Sequence, residues 1–222
     1  MIKSTSRLSI LFIFSGVFIL SSCKKESIKG TGAIITQTRE VSNFYNVSAY
    51  GHIEATVGFG TQFKVEIKGY ENMLPHLNTK VENGTLIIRF DSKVNVQDDV
   101  VEVHITMPSL KAVTAVDDGK IIVKNAFPNM DNLTASSFDK GSVEVMDGSA
   151  RLIKGILSGT GKISAFGLFT EKAQLEINGG GQIEVSVRDN LNVKIDGSGI
   201  VYYKGNPELY TQITGTGQVI KK

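Results

Sequence analysis

From about Leu110 to Lys222, apolar and polar residues alternate in short runs that recur on a frame set by paired glycines. Leu157–Gly161, Ile177–Gly181, Ile195–Gly199 and Ile213–Gly217 each end in a Gly-x-Gly, with a period of 18 to 20 residues. Two earlier units, at Gly119 and Gly141, keep the frame but carry Asp117 and Asp139 where the first glycine would stand. Two residues after the second glycine come Ile121, Val143, Ile163, Ile183, Val201 and Val219. Two further on are Val123, Val145, Ala165, Val185 and Tyr203, with Lys221 ending the series. Leu133, Ile153, Ala173, Leu191 and Leu209 occupy the position eight before that glycine. The intervening positions are polar, among them Lys162, Ser164, Gln182, Glu184, Lys194 and Asp196. Period-two alternation predicts half-buried strands, two to a unit, with one apolar face.

One such unit cannot bury its own apolar face, but units of fixed length can stack theirs into a continuous column. The expected fold is therefore all-β: a right-handed parallel β-helix built from repeats of about 18–20 residues, with a less regular, β-rich amino-terminal half. Glycines mark its corners, where the backbone takes positive φ or passes close to the neighbouring coil. An antiparallel sandwich of hairpins is the alternative, since Gly-x-Gly turns would serve it too. In the first half, Phe44–Val57 alternates in the same way and predicts an early coil. Phe63–Ile67, Thr85–Phe90 and Val101–Ile105 read as strands, the second entered through the Asn83-Gly84 turn. Tyr70–Leu77, around Pro75, predicts a short helical turn or loop, and Ser92–Asp99 a polar excursion.

The amino terminus has another character. Lys3 and Arg7 precede an apolar run from Leu8 to Leu20, too short to span a bilayer comfortably, and Leu20-Ser21-Ser22-Cys23 follows. This is the anatomy of a bacterial lipoprotein leader, with Cys23, the only cysteine, as the lipidated residue. The expected organisation is a signal peptide over 1–22, a tether over 23–40 and one β-helical domain over 41–222. Lipid on Cys23 would leave no thiol for a disulfide or a thiolate metal site. The expected location is the cell envelope, as an outer-membrane lipoprotein with its face open. Beyond the leader's two cations, 22 basic residues balance 22 acidic ones, which excludes the concentrated basic surface that nucleic-acid binding needs.

Little in the sequence points to catalysis. His52, His76 and His104 are scattered without metal-ligand spacing, and Gly161-Lys162 lacks the earlier glycine of a phosphate-cradling loop. Asp117, Asp118, Asp139 and Asp147 flank turns, an ordinary place for aspartate, although β-helical lyases and hydrolases do use strand-face carboxylates. No cofactor and no metal is expected. The candidate binding surface is a ladder, Ser158, Asn178, Asp196 and Thr214, whose members should stack about 4.8 Å apart along one edge. Tyr202 joins it as an exposed ring able to stack on a sugar or pack on a partner, because Tyr202 and Tyr203 must face opposite ways.

Taken together, Phe44–Val47, Asn83–Ile88, Met107–Leu110, the Gly-x-Gly series and Val201–Pro207 resemble the head GIN domain family of bacterial envelope adhesins over about Val41–Lys222. The resemblance implies a right-handed β-helical fold and a binding role with no known ligand. The expectation is thus a lipid-anchored, non-catalytic protein for binding, adhesion or scaffolding. Its partners would be the membrane through the lipid, a polysaccharide or envelope protein, and a second copy through open strand edges. The alternatives are a polysaccharide-processing enzyme on the same fold and a periplasm-facing component of envelope stress signalling.

Overall fold

The structure is a computed structural model that describes residues 25–97, 101–128 and 130–222. The leader and Cys23 lie outside the described residues. The chain enters through β1 (Glu26–Ile28) and β2 (Ile34–Arg39) and forms a coil from β3 (Asn46–Tyr50) and β4 (Ile53–Phe59). Next come β5 (Lys64–Tyr70), β6 (Leu77–Glu82), β7 (Thr85–Phe90), β8 (Val94–Val96) and β9 (Val101–Met107). The repeats then supply β10 (Ala112–Asp117), β11 (Lys120–Val123), β12 (Asn132–Asp139), β13 (Ser142–Val145) and β14 (Gly148–Gly159). They continue through the long, bent β15 (Lys162–Gly179) and β16 (Gln182–Gly197) to β17 (Ile200–Lys204), β18 (Glu208–Gly215) and β19 (Gln218–Lys221).

Every pairing among β10–β19 is parallel, which makes this part the expected parallel β-helix and excludes the hairpin sandwich. The rows read from the sequence are in register. Ala55, Ile121, Val143, Ile163, Ile183, Val201 and Val219 stack one above another, and so do Leu133, Ile153, Ala173, Leu191 and Leu209. Their side chains fill the coil interior and are essentially inaccessible in all but the last coil. Parallel stacking uses the backbone N–H and C=O groups between coils, so the period-two pattern alone decides which side chains meet inside.

The early coil exists, but its place in the stack is not its place in the chain. β3 and β4 pair parallel with β10 and β11, although about fifty residues separate them. Those residues run outward and return as a cap: β7 and β9 pair parallel with β3 and β4, β5 runs antiparallel to β9 and β2, and β6 antiparallel to β7. The β6–β7 hairpin turns at Asn83 and Gly84, both at positive φ (49° and 72°), as its Asn-Gly pair predicts. A 3₁₀ turn at Leu74–His76 occupies the segment around Pro75. Phe44, Met73 and Leu74 are buried there, and the Phe44 and Phe63 ring centroids lie 4.8 Å apart.

Two expectations need correction. The segment 23–40 is not all tether, because Ile34–Arg39 is a strand hydrogen-bonded along β5. The polar excursion at Ser92–Asp99 contains β8, which pairs parallel with β1 and buries Val94 and Val96 beside Ile28. Isolated apolar residues in polar stretches found partners distant in sequence, which local pattern cannot reveal.

The corners show why glycine recurs. Gly179 sits at φ 124°, outside the range of ordinary side chains. The second glycine of a pair needs no special φ, but a Cβ at Gly181 would stand 2.6 Å from the Gly161 carbonyl oxygen of the preceding coil. Asp117 and Asp139 keep the column, pairing with each other and then with Gly159. They turn differently, at φ 57° and 58°, the left-handed well that aspartate tolerates.

Candidate functional site

The polar ladder is in register. Ser158 pairs with Asn178, Asn178 with Asp196, and Asp196 with Thr214. Each lies just before a first glycine of the frame, at the end of a strand, with its side chain half or fully exposed. The corner beside them is fixed from coil to coil: Gly180 N–H donates to the Gly159 carbonyl at 3.0 Å, Ser198 to Gly179 at 3.0 Å, and Thr216 to Gly197 at 2.9 Å. With the corner backbone engaged, ladder side chains are left to face solvent on a stiff support. Lys194, 2.9 Å from Glu176 Oε1, together with Asn178, holds the Glu176 carboxyl below the ordinary carboxylate range, so this flank stays charged in mild acid. Toward the cap the column turns apolar, with Phe138 paired to Ser158 and Val116 to Phe138.

Tyr202 does not belong to that column. It lies across the glycine corner on β17, pairs with Glu184 and Ile220, and has the Lys222 ammonium 4.4 Å from its ring centroid. Tyr203 faces inward against the core, so the two rings do alternate. On the same flank as Tyr202, Glu184 accepts from Ser164, from Gln182 at 2.6 Å and from Lys162 at 2.9 Å. Burial alone would push Glu184 up, but these donors together outweigh it, and the carboxyl sits below its ordinary range.

The acidic turn residues do not converge. Asp117 and Asp139 are corner residues, and among the described residues no three His, Cys, Asp or Glu side chains gather in metal-binding geometry. His104 is exposed, with Nε2 3.8 Å from Glu102.

A larger feature went unrecognised in the sequence. A groove of about 970 Å³ opens along the corner between the two long faces of the last coils, lined by Phe166, Phe169, Arg151, Arg188, Ser186 and Lys204, among others. It exists because the coils shorten. Ala165 pairs with Val185 and the next pairing is Phe169 with Ser186, so Phe166, Gly167 and Leu168 have no counterparts in the following coil. β16 recovers one residue between the Thr170–Val187 and Lys172–Asn190 pairings, leaving a net step of two. Leu168 turns into the core, and Phe169 is left 70 % exposed between Ser149 and Ser186 of the adjoining coils.

Hydrogen bonds set the floor: Thr170 Oγ1 donates to the Ser186 carbonyl at 2.9 Å, and Ser186 Oγ to the Phe166 carbonyl at 2.8 Å. At the rim, Arg151 forks onto Asp131 (2.7 and 3.1 Å), and Arg188 forks onto Asp189 (2.8 and 3.1 Å) while reaching Glu171 at 3.3 Å. Donation from these guanidiniums holds Asp131 and Asp189 below the usual carboxylate range. Lys204 differs: its ammonium lies 4.4 Å from the Phe166 centroid and faces no carboxylate among the described residues. The signal in the sequence was the change of period from 20 to 18 after Gly181, together with two phenylalanines in an otherwise aliphatic repeat.

Solved structures share this architecture. A crystal structure of a "putative adhesin" from Bacteroides fragilis superposes with a TM-score of 0.67 at 21% identity, covering 88% of this chain and all of that one. The crystal structure of a "putative lipid binding protein" from Parabacteroides distasonis gives 0.56 at 23% identity, covering 89% and 100%. That of a "putative adhesin" from Parabacteroides merdae gives 0.51 at 20%, covering 89% and 99%. At these identities the likeness shows a common fold. No curated protein matches the chain. The sequence pattern of one family, described as "Putative auto-transporter adhesin, head GIN domain", matches residues 43–207, which hold the early coil, the cap and all but the last strands of the stack, and the chain belongs to that family.

Proposed function

We propose that the chain is a lipid-anchored, non-catalytic binding protein of the cell envelope. Cys23 holds it at the outer membrane, and the flank carrying Ser158, Asn178, Asp196 and Thr214 meets a polysaccharide or another envelope protein. The observation that carries this is register: four hydrogen-bonding side chains recur at the inter-strand spacing of about 4.8 Å on a frame whose own polar groups are already paired. Such an array suits a partner that is itself polar and extended. The family's description as adhesins supports binding over catalysis. So does the dispersal of the acidic turn residues along corners instead of around a cleft.

Two measurements test it. Cys23→Ser should move the protein from the membrane fraction to the soluble one, and protease shaving of intact cells then reports which face it occupies. Replacing all four ladder residues by alanine should reduce retention on envelope polysaccharide at least several-fold without lowering the unfolding midpoint. Undiminished membrane association of Cys23→Ser, or unchanged retention of the ladder variant, would count against the corresponding half of the proposal.

A further inference from the structure

The groove at the coil step has chemistry the ladder lacks. Phe169 stands 70 % exposed with only serines beside it in the adjoining coils, so both the ring and the space next to it are open. Its neighbours explain why, among the described residues, no side chain covers it: the coil that would pack there is two residues shorter. An exposed aromatic face bordered by planar Arg–carboxylate pairs suits a ligand with an apolar C–H face and a hydroxylated edge, which describes a pyranose ring. The ring stacks, and the forked guanidiniums and their carboxylates meet hydroxyl groups. A volume of about 970 Å³ is at the upper end of the usual range for small-ligand sites and leaves room for more than one sugar.

Charge narrows the class. Asp131, Glu171 and Asp189 are each engaged by Arg151 or Arg188, and Lys172 adds to the positive field at Asp189. Lys204 is the one cation of the lining without an opposing carboxylate among the described residues, and its ammonium, poised over Phe166, retains hydrogen-bond donors toward the groove. We infer that this groove binds an acidic oligosaccharide, with a sugar ring stacked on Phe169 and a uronate carboxylate paired with Lys204. An acyl chain fits less well, because the site is an open step with a charged rim instead of an enclosed apolar pocket.

The inference rests on the chain being a binder, but not on the ladder, which lies at the far end of the same strands. Its test is calorimetry of the purified full chain with tetrasaccharides of galacturonate and of hyaluronan, beside neutral cellotetraose and phosphatidylglycerol vesicles. At least one acidic tetrasaccharide should bind. Phe169→Ala, at an exposed position, should weaken binding by about tenfold or more, the scale of losing a stacked ring. Lys204→Gln should weaken it by about three- to fivefold at low salt, and the difference should shrink as salt is raised. Variants of the ladder should bind as the parent does. Failure of both acidic sugars to bind would overturn the inference, as would indifference to Phe169→Ala, equal affinity for cellotetraose, or a Phe169-dependent preference for the vesicles. Chain-length analysis of the sugars after incubation separates the two proposals: shortened products would overturn the non-catalytic reading, while dependence on Phe169 would still measure the groove.

Discussion

At the end of the stack nearest the cap, the β3–β4 coil is covered by β7 and β9, and the antiparallel β5 and β6 extend the sheet further, so that Val47, Ala49, Ala55 and Val57 are fully buried. At the opposite end, β18 and β19 repeat the same inward pattern with nothing beyond them in the described structure. Leu209 and Ile213, inward by register, are 39% and 41% exposed there. An inward position therefore acquires its stabilising value from coils on both sides. Pattern assigns the position, and neighbours determine how much apolar area leaves water.

One column makes this quantitative. Leu157, Ile177, Ile195 and Ile213 are in register, and the first three are buried. Ile177→Ala removes a side chain enclosed by the coils before and after it and should cost about 2–5 kcal/mol. Ile213→Ala should cost less than about 1 kcal/mol, because much of its area is already in water. Urea unfolding of both variants checks the difference, and hydrogen exchange should show β18 and β19 opening before β12–β16. Equal losses would mean that the last coil is covered in solution. Sedimentation would then show whether a second copy covers it.

The middle of the stack can be set against its end through charge as well. Glu184 is held by three donors, whereas the next coil places Tyr202 at that position. A carboxyl whose pKa is lower in the folded chain than in the unfolded one stabilises the fold above the unfolded value. That contribution disappears as pH falls through the depressed folded value. The wild type should accordingly exceed Glu184→Gln in urea midpoint at neutral pH, and the two should converge below the ordinary carboxylate range. Parallel pH profiles would show that the donors around Glu184 do not favour its charged form.

What was legible in the sequence follows the same division. Rows such as Ile163, Ile183 and Val201 could be read directly, because a parallel stack of equal coils converts sequence period into contact. The cap could not. β5 and β9 alternate as any strand does, and nothing local distinguishes antiparallel pairing at an end from another parallel rung. Val94 and Val96 were hidden because their partners in β1 lie in a segment that looked like tether. The ladder was visible as a repeated offset, and its register holds. Tyr202 was wrongly grouped with it, because six residues along the chain carry it around a corner onto another face. The groove escaped because it depends on a difference between coil lengths. Phe166 and Phe169 mean little as residues of one strand and become a wall only when the next coil falls short.

The smallest expected effect concerns the corners, which also differ along the stack. Near the cap the column holds Asp117 and Asp139 at φ 57° and 58°, and farther along it holds Gly159, Gly179, Gly197 and Gly215 at φ 109° to 125°. Aspartate can occupy the left-handed well because its short polar side chain bonds locally to the backbone, whereas alanine pays the steric cost without that compensation. Asp139→Ala should thus lose about 1 kcal/mol. Asp139→Asn, with the same shape and turn chemistry, should lose almost nothing. Asp139→Gly should also stay close to the parent, since relief of the left-handed strain is offset by a more flexible unfolded chain. Thermal unfolding of the three variants ranks them. Should Asn prove as damaging as Ala, the corner needs the charge of Asp139 and not its backbone preference, and the two kinds of corner would differ in chemistry as well as in conformation.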